Sequence, residues 1–107
     1  MANVVRGRAD RAVAALKEAL DAYELRYDGA TASLYRQGVA SIRIRVIDRR
    51  FEGMSKSRRH DQVWKFLESR VDEETLSEVS LLLALAPAEL GSNLANFEFE
   101  NPIGNRR

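Results

Sequence analysis

Residues 41–47, SIRIRVI, constrain the fold more than any other stretch of the chain. Apolar Ile42, Ile44 and Val46 alternate with Arg43 and Arg45. Strict alternation of this kind belongs to a β-strand with one buried face and one wet face, because successive side chains leave a strand on opposite sides. Such a strand requires hydrogen-bonded neighbours and an apolar layer over its buried face. The flanking sequence can supply both.

Upstream, residues 31–37 form a second candidate strand, with Ala32 and Leu34 on one face and Ser33 and Tyr35 on the other. Gln37 and Gly38 offer a connection too short for a crossover helix, so the two strands form a hairpin. This places Tyr35 across from an arginine on the wet face, within reach of a cation–π contact. Between residues 8 and 25, Ala12, Val13, Leu16, Ala19, Leu20 and Tyr23 recur at spacings of three and four, the pattern of an amphipathic helix. Residues 1–8 read as a loose lead-in, and Asp28 with Gly29 marks a turn.

Downstream, Gly53 is suited to a positive φ and Ser55 to an N-cap. The helix they introduce ends near Arg70, with Val63, Phe66 and Leu67 as its inner stripe and Trp64 at the border. Residues 76–86 fit both periods: Leu76, Val79, Leu82, Leu83 and Ala86 suit a helix, whereas Val79, Leu81, Leu83 and Leu85 suit a strand. Residues 87–90 read as a helical turn begun by Pro87. Residues 91–107 read as a partly ordered extension with an apolar pair at Phe97 and Phe99. The expectation is one α+β domain over residues 1–107, since the length and a 45% hydrophobic content suit a single modest core.

Charge sharpens the reading. The chain carries a net charge of only +1, yet residues 41–60 hold seven basic and two acidic side chains, and residues 71–100 hold seven acidic and no basic ones. The two regions are suited to pair with each other or with the same regions of a second copy. Cysteine is absent, which excludes disulfides, thiol nucleophiles and thiolate metal sites in this sequence. The start lacks the apolar core of a signal peptide, and the apolar run at 81–87 is far too short for a bilayer. These features suggest a cytoplasmic protein with no membrane partner.

His60, the only histidine, is the first candidate for proton transfer, but no organised nucleophile lies beside it in sequence. Asp48, Glu52 and Asp61 lack a recognisable metal-ligand spacing. The single glycine of residues 51–54 falls short of a phosphate-binding loop. No catalytic residue, metal or cofactor is therefore expected. Arg43, Arg45, Arg49, Arg50, Lys56, Arg58, Arg59 and His60 form the candidate interaction surface, because guanidinium groups clamp carboxylates and phosphates. The leading functional expectation is a non-enzymatic adaptor that binds a protein partner or associates with itself. A nucleic-acid-binding regulator is the alternative.

The segment Val46, Ile47, Asp48, then Phe51, Glu52, Gly53, Met54 and Ser55, then Arg59, His60, Val63 and Leu67 resembles the BolA family, whose members show a strand, F-x-G-x-S, then R-H-x-x-V and a leucine. The resemblance spans roughly residues 8–90 and is most specific at 46–67. It implies an α/β fold similar to the type II KH arrangement, ordered helix–strand–strand–helix–strand. The sheet would have three mixed strands, the last at residues 78–85, with the helices on one face. It also implies partnership with a monothiol glutaredoxin in iron–sulfur cluster handling, or DNA-binding regulation. The family's late histidine falls at Ser77 here, and no G-x-x-G clamp loop of the KH type is present.

Overall fold

The computed structural model describes residues 1–102. In chain order the elements are β1 (Asn3–Arg6), α1 (Arg11–Arg26), β2 (Thr31–Gly38), β3 (Ser41–Ile47), α2 (Lys56–Glu68), α3 (Glu73–Leu76), β4 (Val79–Leu85) and α4 (Leu94–Glu100). Short 3-10 turns follow β3 and β4 at Arg49–Phe51 and Pro87–Glu89. The strands form one mixed sheet in the order β1-β2-β3-β4. The central pair is the antiparallel hairpin, and each outer strand runs parallel to its neighbour. Parallel pairing requires a crossover, which α1 supplies between β1 and β2 and α2 with α3 supplies between β3 and β4.

The SIRIRVI alternation behaves as its period predicts. Ile42, Ile44 and Val46 are fully buried and lie beside Arg36, Leu34 and Ala32 of β2 in the antiparallel register. Val13, Leu16, Leu20 and Tyr23 of α1, with Val63 and Leu67 of α2, complete one core over that face. Burial of these side chains contributes roughly 1.5–3 kcal/mol each before conformational entropy is subtracted. Ser55 caps α2 by accepting the Arg58 N–H at 3.2 Å, and Gly53 sits at φ 81°, as its position before the helix suggests.

Four expectations require correction. The sheet has four strands, not three, because Val4 and Val5 in the supposed lead-in add a short parallel edge. Four residues are too few to display a period, so this strand left no mark in the sequence pattern. Helices cover both faces, since α4 lies on the side of Arg43 and Arg45. The hairpin turn falls at Val39 and Ala40, two residues beyond a β2 that runs through Gly38. Finally, Tyr35 is completely buried, and the arginine stacked on its ring is Arg6, 4.6 Å from the centroid. Arg43, its cross-strand neighbour, instead donates to the Tyr35 hydroxyl at 3.2 Å.

The segment with two readings is a strand at Val79–Leu85. Leucine and alanine favour helix by a few tenths of a kcal/mol per residue, but as a strand the segment hydrogen-bonds to β3 and buries Leu85, which outweighs that preference. In the register formed, Leu82 and Ala84 join Ile44 and Val46 on the core face, while Leu81 and Leu83 flank Arg43 and Arg45 on the other.

Candidate interaction surface

The eight side chains of the basic stretch meet three different fates. Arg43 and Arg45 point from β3 toward α4 and are mostly buried by it. Arg43 pairs with Glu98, and Arg45 donates to Asn96 Oδ1 at 2.7 Å and to Glu100 at 2.8 Å. Phe99 packs between them and the sheet, with the Arg45 guanidinium 4.8 Å from its ring centroid. The acidic end of the chain thus neutralises part of its basic middle.

Arg50 and Arg59 serve as internal ties. Asp48, only 1% exposed, caps the 3-10 turn by accepting the Arg50 N–H at 2.9 Å and holds the Arg50 guanidinium at 3.1 Å. The same guanidinium lies 4.7 Å from the Tyr27 ring centroid. Arg59, 5% exposed, makes a two-pronged pair with Glu89 at 2.7 and 2.9 Å. It also donates to the Met54 carbonyl at 3.1 Å and the Ala84 carbonyl at 3.2 Å. Hydrogen bonds from Arg59, and then from the Ala86 N–H, hold the Glu89 carboxyl down to about 2. Because Leu85 accepts from the Asp48 N–H just beyond β3, the Ala84 carbonyl faces outward, so Arg59 also covers one end of the β4 edge.

Arg49, Lys56, Arg58 and His60 remain exposed at the corner where β3 passes into α2. Neither Arg49 nor Arg58 has a side-chain hydrogen bond or ion pair among the described residues. The first turn of α2 contains no acid, although carboxylates are the charges a helix N-terminus favours. His60 stacks on Trp64 one turn later, with ring centroids 5.8 Å apart and planes 19° apart. No side-chain hydrogen bond reaches the imidazole among the described residues, so nothing aligns it as a base.

Among the described residues no group of three His, Asp or Glu side chains is placed to hold a metal ion. Asp48 is taken by Arg50, while Glu52 and Asp61 are exposed. Ser77, at the late-histidine position, donates its hydroxyl to the Glu74 carbonyl at 2.6 Å. With one histidine and no cysteine in the chain, no second soft ligand accompanies His60, and the residues present do not fit a shared iron–sulfur cluster. A cavity of about 520 Å³ is lined by none of the eight basic-stretch residues and in part by Asp21, Glu24 and Asp28. Two of these carboxylates are already engaged: Glu24 accepts from Ala32 N–H at 2.7 Å and pairs with the amino terminus at 2.6 Å, and Asp21 pairs with Lys17 at 3.0 Å.

Arg36 is the structurally important cation that periodicity did not single out. Its guanidinium pairs with Asp10, the cap of α1, and with Glu78 at 2.7 Å before β4, and it binds the Gly38 and Val39 carbonyls of the hairpin turn at 2.9 and 2.8 Å. The Asp10 bond and then the Glu78 bond raise the Arg36 pKa further. Its signal in sequence is faint: an arginine where the β2 alternation calls for an apolar residue.

The fold and these contacts define a class, an α+β domain with one mixed sheet covered on both faces and one exposed basic corner. No protein-family model, curated protein or solved structure matches the chain. Among the described residues no helix is long and apolar enough to cross a membrane.

Proposed function

We propose that this chain is a non-enzymatic adaptor that docks an acidic protein surface at the corner formed by Arg49, Lys56, Arg58 and His60. The observation that carries this reading is the first turn of α2. Lys56 and Arg58 place positive charge at the positive end of a helix, against the macrodipole, while Glu78, Glu89, Glu98 and Glu100 are paired with arginines elsewhere. Cations placed against local preference suit a surface held ready for an anionic partner. The corner is also preorganised: the Ser55 cap, the Gly53 turn, the Asp48–Arg50 pair and the Arg59 pin fix the backbone that presents it.

The test is affinity capture with the wild type and an Arg49→Glu/Lys56→Glu/Arg58→Glu variant of unchanged circular dichroism. A partner retained by the wild type and weakened about tenfold or more in the variant, with loss at high salt, is the expected result. Equal recovery by both chains overturns the proposal. The same corner suits phosphates, which favours a nucleic-acid regulator as the second reading. Titration with duplex and single-stranded oligonucleotides separates the two, because phosphate binding weakens steeply and linearly in log salt.

A further inference from the structure

On the sheet's side, every hydrogen bond to helix α4 among the described residues comes from a side chain. Arg6 donates to the Phe99 and Glu100 carbonyls at 3.3 and 3.1 Å, and the Tyr35 hydroxyl donates to the Phe99 carbonyl at 2.8 Å. Arg43 and Arg45 hold Glu98, Asn96 and Glu100. The Phe99 ring meets Tyr35 edge-on, 4.9 Å between centroids, beneath the Arg45 guanidinium. No backbone–backbone hydrogen bond joins α4 to a strand among the described residues.

A helix of seven residues is too short to be stable by itself, so the dock holds α4 in shape. Its ties combine burial of the Phe99 ring, 1% exposed, with charge-assisted bonds that salt weakens. The face turned away from the sheet leaves Leu94 86% and Phe97 61% exposed, so burial on the outside adds little. The dock is also imperfectly filled. Arg45 Nε is buried with no hydrogen-bond acceptor, a donor that α4 leaves unsatisfied. In these respects α4 is a tethered ligand seated on a receptor face.

We infer that the sheet face formed by Arg6, Tyr35, Arg43 and Arg45 recognises a short acidic helix of a partner protein, with an aromatic residue between two carboxylates, and that α4 is its resident, displaceable occupant. The pattern is written in Glu98, Phe99 and Glu100: carboxylates on the arginines, a ring on Tyr35, and helix C-terminal carbonyls on Arg6. The tether gives α4 a high effective concentration, so a competing segment must bind better, and the unmet Arg45 Nε–H offers one way to do so. This site lies on a different surface from the corner at residues 49–60 and does not depend on it.

The test uses the full chain with Glu98→Gln, Phe99→Ala and Glu100→Gln combined, which frees the face, and a fluorescent peptide of residues 91–102 as probe. The expected result is anisotropy-detected binding about tenfold tighter than to the wild type, falling with added salt. Adding Arg45→Gln should abolish that gain, whereas Arg49→Glu/Lys56→Glu/Arg58→Glu should leave it intact. Should the triple variant not fold, Glu98→Gln alone gives the same comparison with a gain of roughly threefold. Binding no tighter than to the wild type, or equal binding of a scrambled peptide, overturns the inference. Stronger binding of single-stranded oligothymidylate than of the peptide also overturns it and assigns the face to nucleic acid.

Discussion

Arg59 shows how a residue in a functional-looking motif can act structurally. Its guanidinium joins the turn before α2, the last part of β4 and the 3-10 turn after it, through Met54, Ala84 and Glu89. Arg59→Ala should destabilise the domain by about 2–3 kcal/mol, less than a fully buried pair because Glu89 is partly solvated. Chemical denaturation checks this value, and Arg59→Lys should recover only part of the loss because the fork geometry is gone. The pH dependence has a definite sign. Glu89 is held at about 2 in the folded chain against an ordinary 4.5, so its contribution is present above the ordinary value and lost as pH falls through about 2. Stability measured between pH 5 and 2 should fall less steeply in Glu89→Gln; equal slopes would show that other carboxylates carry the acid sensitivity.

At the scale of elements, α4 covers one sheet face and β1 extends the sheet edge, and they are held differently. Salt should release α4 first: at about 1 M salt the Phe97 and Asn101 amides should lose protection in hydrogen exchange while those of β3 keep theirs. Simultaneous loss in both elements would mean that α4 is integral to the cooperative unit. The β1–α1 junction depends on Gly7, whose φ is 81° and whose added Cβ would lie 3.1 Å from the Arg36 carbonyl oxygen. Gly7→Ala should therefore cost about 1–2 kcal/mol, read as a lower denaturation midpoint. Gly29, also at positive φ, has nothing within 4 Å of an added Cβ, so Gly29→Ala should cost less. Together the two substitutions separate steric from conformational strain.

Over the whole molecule, Arg36 joins parts of the chain that are distant in sequence: the α1 cap, the hairpin turn and the entry to β4. Arg36→Met should cost roughly 3 kcal/mol, because it strands Asp10 and Glu78 and leaves two turn carbonyls without donors. Urea unfolding with an unchanged m-value would confirm a loss of stability with no change in cooperativity.

The sequence alone determined what depends on local period and local backbone chemistry. The alternation at 41–47, the stripe from Val13 to Tyr23, the Ser55 cap and the Gly53 turn follow from neighbouring side chains, and each is present as expected. Tertiary structure decided what depends on partners far along the chain. It made 79–85 a strand, because pairing with β3 outweighs local helix propensity, and it added 3–6 beside β2. It also divided the eight basic residues among a covered face, internal pins and an exposed corner. Composition revealed that acidic and basic regions existed in balance. Which carboxylate meets which arginine depends on sheet register and helix placement, and these are set by packing of the whole chain rather than by any stretch within it.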